Sequence, residues 1–272
     1  MLVHSHKTKQ INYPSIDLCI YCLKKSKELS AKGIKLTDEH IIPFSLNGEY
    51  IFLNASCEKC SKIINDSFEQ RNLKTTLLTI RNILGLKRRK KKEPPLTYPI
   101  AANEGANIND VYDLYLPPKE FPPLFPMPHF PKAGLLSGTE YGEGIPQFRF
   151  QMVELQSFKA WAMKHGINKV GVRLPIAPYE VSAFLAKIAY SFAVAELGID
   201  AFDGNQIRDV ILGERKDINN FTGEPILKRS NLTKRYLHNL YIKKEGEYCT
   251  VLVHLFAPYG ISPYQVVVGK YL

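Results

Sequence analysis

Two Cys-x-x-Cys pairs constrain this chain more than any other feature of its sequence. Cys19 and Cys22 form the first pair, Cys57 and Cys60 form the second, and 34 residues lie between them. Each pair makes a turn that points two thiolates at one ion, so the four cysteines suit a tetrahedral zinc site. Two separate redox dithiols are the alternative. We predict that a structural zinc ion clamps this short segment and that removing the metal unfolds it.

The excess positive charge of the chain lies with these cysteines. Residues 1–92 hold 18 Lys and Arg against 8 Asp and Glu, whereas residues 93–272 hold 18 of each. A basic first third is typical of a segment that meets a polyanion, and nucleic acid is the partner we predict. A solvated basic surface is the alternative. The basic run Lys87–Lys92 suits a phosphate-contacting tail, a targeting signal or a solvated helix end.

No feature of the sequence predicts a membrane partner. The N-terminal residues are polar and lack the pattern of a secretory signal. The most apolar helical stretch, Val181–Gly198, is interrupted by Lys187 and Glu196, which does not suit a membrane span. We therefore expect a soluble, cytoplasmic protein. The fifth cysteine, Cys249, lies in an apolar run and is predicted to be an inert buried thiol.

The pattern of apolar residues predicts an α+β fold in three parts. Residues 1–92 form a zinc-bound domain, residues 93–147 form a connector that holds eleven of the eighteen prolines, and residues 148–272 form a second α+β domain. The connector is expected to be extended and docked through its apolar side chains. We predict strands over Ile34–Leu36 and Glu49–Leu53 around an Asn47-Gly48 turn, with a loop from His40 to Ser45. The other expected elements are helices over Ser61–Leu86, Pro178–Leu197 and Asn205–Leu212, and an antiparallel meander over Tyr236–Ile242, Tyr248–Phe256 and Tyr264–Tyr271.

A carboxylate and an imidazole stand next to each other between the two cysteine pairs. Glu39 offers a hard oxygen donor, and the imidazole of His40 has an ordinary pKa of about 6.5. Such a pair suits a division of labour in which the carboxylate holds a divalent cation on a phosphate while the imidazole takes a proton from water. Taken alone, His40 and Asn54 are each typical of turn residues. Their position between the cysteine pairs favours the catalytic interpretation.

Residues 19–69 resemble the HNH endonuclease family of the zinc-clamped kind. The resemblance rests, in order, on the first Cys-x-x-Cys, on EHIIP, on the Asn-Gly turn, on LNASC with the second Cys-x-x-Cys, and on the helix that follows. It implies a ββα-metal fold and hydrolysis of phosphodiester bonds in DNA, by nicking or double-strand cleavage, with Mg²⁺ or a similar ion. It also implies that His40 is the general base, that Glu39 replaces the usual Asp metal ligand, and that Asn54 braces the loop and orients the histidine.

One position departs from the family pattern. The third signature residue, a His or Asn on the helix that completes the metal site, falls near Ile63, which cannot bind a metal. Asn65 is the nearest suitable side chain, and Asp66 is the alternative. A solvated helix position is the other interpretation of Asn65.

From these residues we expect a metal-dependent DNA endonuclease, with RNA as an alternative substrate. Residues 148–272 would select the target, bind a protein partner or control the activity. The fusion of a nuclease to an unfamiliar domain favours a role in antiviral defence, by association alone. A zinc-stabilised nucleic-acid-binding module or adaptor without catalysis explains the cysteines and the charge equally well.

Overall fold

The computed structural model of the chain describes residues 10–86, 97–103, 112–117, 120, 124–144, 147–154, 157–167, 169–171, 177–225 and 235–272. The basic run Lys87–Lys92 lies outside the described residues. The described part is α+β, as predicted from the sequence. Its elements are β1 Ile11–Tyr13, α1 Ser26–Ser30, β2 Leu36–His40, β3 Tyr50–Cys57, α2 Glu58–Ile64, α3 Gln70–Lys74, α4 Leu78–Ile83, β4 Tyr98–Asn103, β5 Tyr112–Leu116, β6 Leu124–His129, α5 Gly134–Ser137, β7 Arg149–Glu154, α6 Phe158–His165, β8 Lys169–Gly171, α7 Pro178–Leu197, β9 Phe202–Asp203, α8 Asn205–Leu212, β10 Thr222–Gly223, β11 His238–Glu245, β12 Tyr248–Leu255 and β13 Tyr264–Tyr271.

A three-stranded sheet carries the residues between the cysteine pairs. β3 lies in its centre, parallel to β1 and antiparallel to β2. The predicted strand over Ile34–Leu36 is wrong, because β2 begins only at Leu36 and runs to His40. The second predicted strand, Glu49–Leu53, is too short, because β3 continues to Cys57. The polar run TDEH looks like a loop in the sequence, but it pairs with β3 and turns Glu39 into the interior. The predicted loop therefore begins only after His40.

The helix after β3 begins earlier than predicted and is interrupted. α2 starts directly after Cys57 and continues through a π-helical turn at Asn65–Glu69 into α3. The backbone of Thr75 leaves the helical region, with φ of −121° and ψ of −90°, so the single predicted helix over Ser61–Leu86 is wrong. The Asn72 side chain fixes this region to α7, since its amide donates a hydrogen bond to the Glu180 carbonyl at 2.6 Å.

The proline-rich segment is partly extended, as predicted, but its extended parts are paired strands, and β4 lies in the centre of its sheet, which the sequence disfavours. β6 pairs with β7, and β4 pairs with both β5 and β8. Pro126 and Pro128 fit in β6 because residues two apart turn their backbone nitrogens to the same edge, and among the described residues β6 pairs along one edge only, with β7. The predicted docking is confirmed, since Met127 and Phe130 are buried and the Tyr264 hydroxyl donates to the Pro128 carbonyl at 2.7 Å.

The second half of the chain matches its prediction more closely. α7 spans Pro178–Leu197 as predicted, with proline in its first turn and Gly198 directly after it. The short helix α8 also has its predicted bounds. β11, β12 and β13 form the predicted antiparallel meander, and β9 and β10 add to β13.

Helix α7 lies between residues 19–69, which we call the cysteine-bearing segment, and the C-terminal sheet formed by β9 to β13. It packs on β12 and β13 and also on the π-helical turn and α3. The Tyr190 hydroxyl donates to the Ile20 carbonyl at 2.7 Å, and the ring of Phe192 lies 5.7 Å from that of Tyr50. Buried residues of both halves form one continuous core. Extensive contacts therefore cross the predicted boundaries at residues 92 and 147, and the division into domains stays a prediction.

Candidate metal centre and active site

The four cysteines of the two pairs converge on one point. Cys19 and Cys22 lie in a tight turn, Cys57 ends β3, and Cys60 lies in the first turn of α2. Their sulfur atoms all lie within 4.8 Å of one another, and the Cys22 and Cys57 sulfurs are 3.9 Å apart. Zinc–sulfur bonds of about 2.3 Å in a tetrahedron place sulfurs about 3.8 Å apart. The cluster therefore has nearly the dimensions of a four-thiolate zinc site.

The proton chemistry of the cluster also suits a cation. A hydrogen bond with Cys60 lowers the pKa of Cys19 to about 5, and the same bond raises the pKa of Cys60 well above its ordinary value. Burial raises the pKa of Cys22 to about 11. Thiols packed this closely resist ionising together, whereas a bound metal ion lets all four deprotonate. These residues can therefore hold a structural metal ion such as zinc.

His40 is the last residue of β2, directly before the loop that leads to β3. It pairs with Ile51 of β3 across the sheet. The ring is half-buried and packs edge-on against Phe44, with 6.2 Å between the ring centres. This contact restricts the rotation of the ring, whose Nδ1 atom is buried.

The side chain of Glu39 points into the interior. Its carboxylate is 2.5 Å from the ammonium of Lys187, which comes from the middle of α7. Burial raises the pKa of Glu39, and the nearby Glu69 carboxylate adds to the rise against the opposing effect of Lys187. Successive side chains of a strand face opposite sides, so His40 projects away from this ion pair. The structure thus separates the two neighbouring residues to different faces of β2.

Asn54 lies in a bulge of β3. Its backbone has a left-handed φ of 48°, which asparagine tolerates better than most residues. The backbone N–H of Asn54 donates a hydrogen bond to the Asp38 carboxylate at 3.0 Å, where the pairing of β2 and β3 shifts register. Asn54 therefore shapes the sheet through its backbone, while its side chain is exposed.

The helix positions predicted to complete a catalytic metal site lie at the π-helical turn. Asn65 begins this turn and is half-buried, and its side-chain amide donates to the exposed Asp66 carboxylate at 3.4 Å. Ile63 is half-buried in α2. π-Helical turns inside α-helices are frequent at functional sites. The turn also carries Glu69, whose carboxylate lies 3.4 Å from Lys187.

Three hydroxyl groups that the sequence does not single out join β2, β3 and α2. The Ser61 hydroxyl lies 2.8 Å from that of Ser56 and 3.3 Å from that of Thr37. The Thr37 hydroxyl in turn donates to the Ser56 carbonyl at 3.0 Å. These bonds fix the helix start to both strands, next to Cys57 and Cys60.

Lys187 and Glu69 are the site residues that sequence reasoning missed. A signal for Lys187 exists, because a lysine within the otherwise apolar run of α7 must have a buried counter-charge. The sequence does not say which carboxylate supplies it. The partner lies 148 positions away, and only the tertiary fold brings them together.

A cleft of about 360 Å³ lies beside the loop that follows β2, between the turn at residues 47–50 and β11. Tyr50, Tyr236 and Tyr241 line it, and His238 stands at its wall. The Nδ1 atom of His238 accepts a hydrogen bond from the Phe256 N–H at 3.3 Å. The Nε2 atom of the same ring donates a hydrogen bond to the Leu46 carbonyl at 2.8 Å. Burial lowers the pKa of His238 to about 4, which keeps this ring neutral.

Comparisons with protein-family models, with curated proteins and with solved structures found no significant match. Within the described part of the chain, no helix has the length and apolar character needed to cross a membrane. Cys249 is buried in β12, as predicted.

Proposed function

We propose that the chain is a DNA endonuclease of the HNH type in which His40 is the general base. The observation that supports this most directly is the convergence of the four cysteine sulfurs within 4.8 Å. This convergence ties the start of α2 to the strand pair β2–β3, whose first strand ends at His40. Strand, loop, strand and helix in this order are what the family resemblance implies.

The proposed reaction is hydrolysis of a phosphodiester bond. His40 takes a proton from a water molecule, and the oxygen of that water attacks the phosphorus atom. The bond from phosphorus to the leaving sugar oxygen breaks, and solvent protonates that oxygen. The contact with Phe44 holds the imidazole in place for this transfer. The excess of Lys and Arg in residues 1–92 supplies affinity for the backbone of the nucleic acid.

Zinc has a structural role in this proposal. Cys19, Cys22, Cys57 and Cys60 would hold it, and it would fix the helix to the strands without contacting the substrate.

The catalytic Mg²⁺ stays part of the proposal, but Glu39 does not fit as its ligand in this arrangement. The Glu39 carboxylate is buried and already paired with an ammonium group, which would repel a second cation. We assign no step to an ion at Glu39. The roles of Asn54 and of Asn65 or Asp66 toward such an ion stay predictions.

The proposal is tested by incubating the purified protein with supercoiled plasmid, with Mg²⁺ and with a chelator that leaves the zinc in place. We expect nicked or linear product only with Mg²⁺. The His40→Ala variant should lose the activity at unchanged zinc content, while His129→Ala, whose ring pairs with Glu224 at 3.0 Å, should keep it. A single-stranded RNA of matched length decides between the two nucleic acids. Cleavage that survives His40→Ala would remove His40 from the mechanism.

A non-catalytic, zinc-stabilised nucleic-acid-binding module is the second candidate. The specific observation that favours it is the burial of Glu39, which here forms an ion pair instead of facing a substrate. This candidate predicts salt-dependent DNA binding and no cleavage with any divalent ion. Binding measured at several salt concentrations beside the plasmid assay separates the two.

A further inference from the structure

The ammonium group of Lys187, from the second half of the chain, lies next to Glu39 and His40 of the proposed active site. The residue lies in the middle of α7 and is 1% exposed. Its nitrogen is 2.5 Å from the Glu39 carboxylate and 3.4 Å from that of Glu69. It also donates to the backbone carbonyls of His40 at 2.5 Å and of Ile41 at 3.4 Å. Four oxygen atoms of the cysteine-bearing segment therefore surround one nitrogen of α7.

The charges of this cluster keep it together. An unpaired ammonium in the interior is strongly unfavourable, so Lys187 retains its partners once the core has formed. Burial alone would lower the pKa of Lys187, but the two carboxylates outweigh it and raise the pKa above its ordinary value. Lys187 is therefore charged at neutral pH, and its three N–H donors are shared among the four oxygen atoms that surround it.

Because Lys187 donates hydrogen bonds to the backbone carbonyls of His40 and Ile41, it restrains the backbone at His40, which an ion pair with Glu39 alone would not do. β2 ends at His40, and the chain then enters the loop at Ile41. A donor that bonds both carbonyls fixes the backbone from which the imidazole projects. Because α7 also packs on β12 and β13, this anchor is connected to the core of the C-terminal sheet.

We infer that Lys187 is a positioning residue for His40, through which residues of the C-terminal half complete the proposed active site. This inference rests on the proposed nuclease function for its catalytic consequence. Glu39 and Glu69 serve in it as counter-charges that hold the lysine. The competing possibility is that the ammonium occupies a cation site and keeps the protein inactive.

The Lys187→Met variant tests the inference in the full-length, zinc-loaded protein. Methionine keeps the length of the side chain but removes the charge and the donors. We expect the single-turnover cleavage rate to fall roughly tenfold or more, because small displacements of a catalytic group are costly. DNA affinity and zinc content should not change. Higher activity than the wild type would overturn the inference and indicate that Lys187 blocks a cation site.

Two further variants keep the result interpretable. Tyr190→Phe removes another buried hydrogen bond between α7 and the cysteine-bearing segment, to the Ile20 carbonyl, and should leave the cleavage rate unchanged well below the unfolding temperature.

If Lys187→Met alone does not fold, the double variant Glu39→Gln with Lys187→Met removes the charge that Glu39 would otherwise carry without a partner. It should fold and still cleave slowly, since the carbonyl of His40 lacks its donor. Full activity of the folded double variant would also overturn the inference.

Amide hydrogen exchange separates this inference from the nuclease proposal. We expect faster exchange over residues 36–42 in Lys187→Met than in Tyr190→Phe, with the zinc retained in both. Equal exchange in the two variants would show that Lys187 does not fix the backbone at His40. If the wild type cleaves no nucleic acid, the proposed function fails, while the exchange experiment still decides whether Lys187 holds this segment.

Discussion

Cys60 connects the start of α2 to the turn that carries Cys19 and Cys22. The sulfur of Cys60 lies within the cluster, and the residue is almost fully buried. Replacing it by serine removes one of four soft ligands and leaves three thiols without a complete coordination shell. Loss of a ligand has a larger effect on metal affinity than loss of a group that merely supports one, and even the latter costs about 10- to 100-fold.

We therefore predict that Cys60→Ser lowers zinc affinity by more than about 100-fold and lowers the unfolding temperature. Zinc content measured by mass spectrometry after competition with a chelator tests the first part, and thermal unfolding tests the second. Cys249→Ala is the matched control, since Cys249 is buried in β12 outside the cluster. Equal zinc retention by the two variants would contradict a four-cysteine metal centre.

At single positions, sequence reasoning succeeds where the chemistry is local. The cysteine spacing alone predicts a shared site, because two turns with two thiols each have few other uses. The orientation of Glu39 is not local. Its carboxylate turns inward because Lys187, far along the chain, offers the ammonium that makes its burial tolerable.

Strand β11 is tied to the loop after β2 by the neutral ring of His238. The pKa of this ring is about 4 in the folded protein because of its burial, against an ordinary value of 6.5. The folded state thus binds a proton less readily than the unfolded chain. This contribution to stability is fully present above pH 6.5 and is lost as the pH falls toward 4. Protonation would also end the hydrogen bond that the ring accepts from the Phe256 N–H.

We predict that His238→Gln flattens the dependence of stability on pH between these two values. The lowering of the His238 pKa from 6.5 to about 4 corresponds to a change of about 3 kcal/mol in the free energy of unfolding between neutral and acid pH. Urea unfolding at neutral pH and near pH 4.5 measures the change for the variant and the wild type. His129→Gln is the control, because the His129 ring bonds the partly exposed Glu224. The same loss of stability on acidification in all three proteins would contradict a buried neutral His238.

Elements are predictable where their end signals and their apolar pattern agree. α7 has proline at its start, glycine after its end and an apolar pattern between them, and its predicted bounds are those of the structure. β2 and β6 lack such agreement. The polar residues of β2 and the prolines of β6 are tolerated only because of the particular neighbour and edge that each strand has in the sheet.

Over the whole molecule, α7 makes the cysteine-bearing segment dependent on the C-terminal half. Tyr21 is almost fully buried, and its ring lies 6.0 Å from that of Tyr190. Removing α7 would expose this ring and leave Glu39 without its counter-charge. Zinc alone would then have to offset the exposure of a large apolar surface.

We predict that a fragment of residues 1–92 is destabilised even when zinc is bound. The dispersion of its amide signals in a two-dimensional NMR spectrum should be poor beside that of the full chain, and it should show no cleavage. The full chain prepared in the same buffer with equimolar zinc is the control. A fragment with well-dispersed signals and full cleavage activity would show that the C-terminal half is dispensable for the site.

The proposed function depends on His40 acting as a base toward water. The most direct test is the single-turnover rate of DNA cleavage against pH, for the wild type and for His40→Ala at matched zinc content. The wild-type rate should fall at acid pH as the imidazole takes up a proton, and the variant should be slower by about 100-fold or more, with this acid dependence absent. An equal rate in the two proteins, with the same dependence on pH, would contradict His40 as the general base.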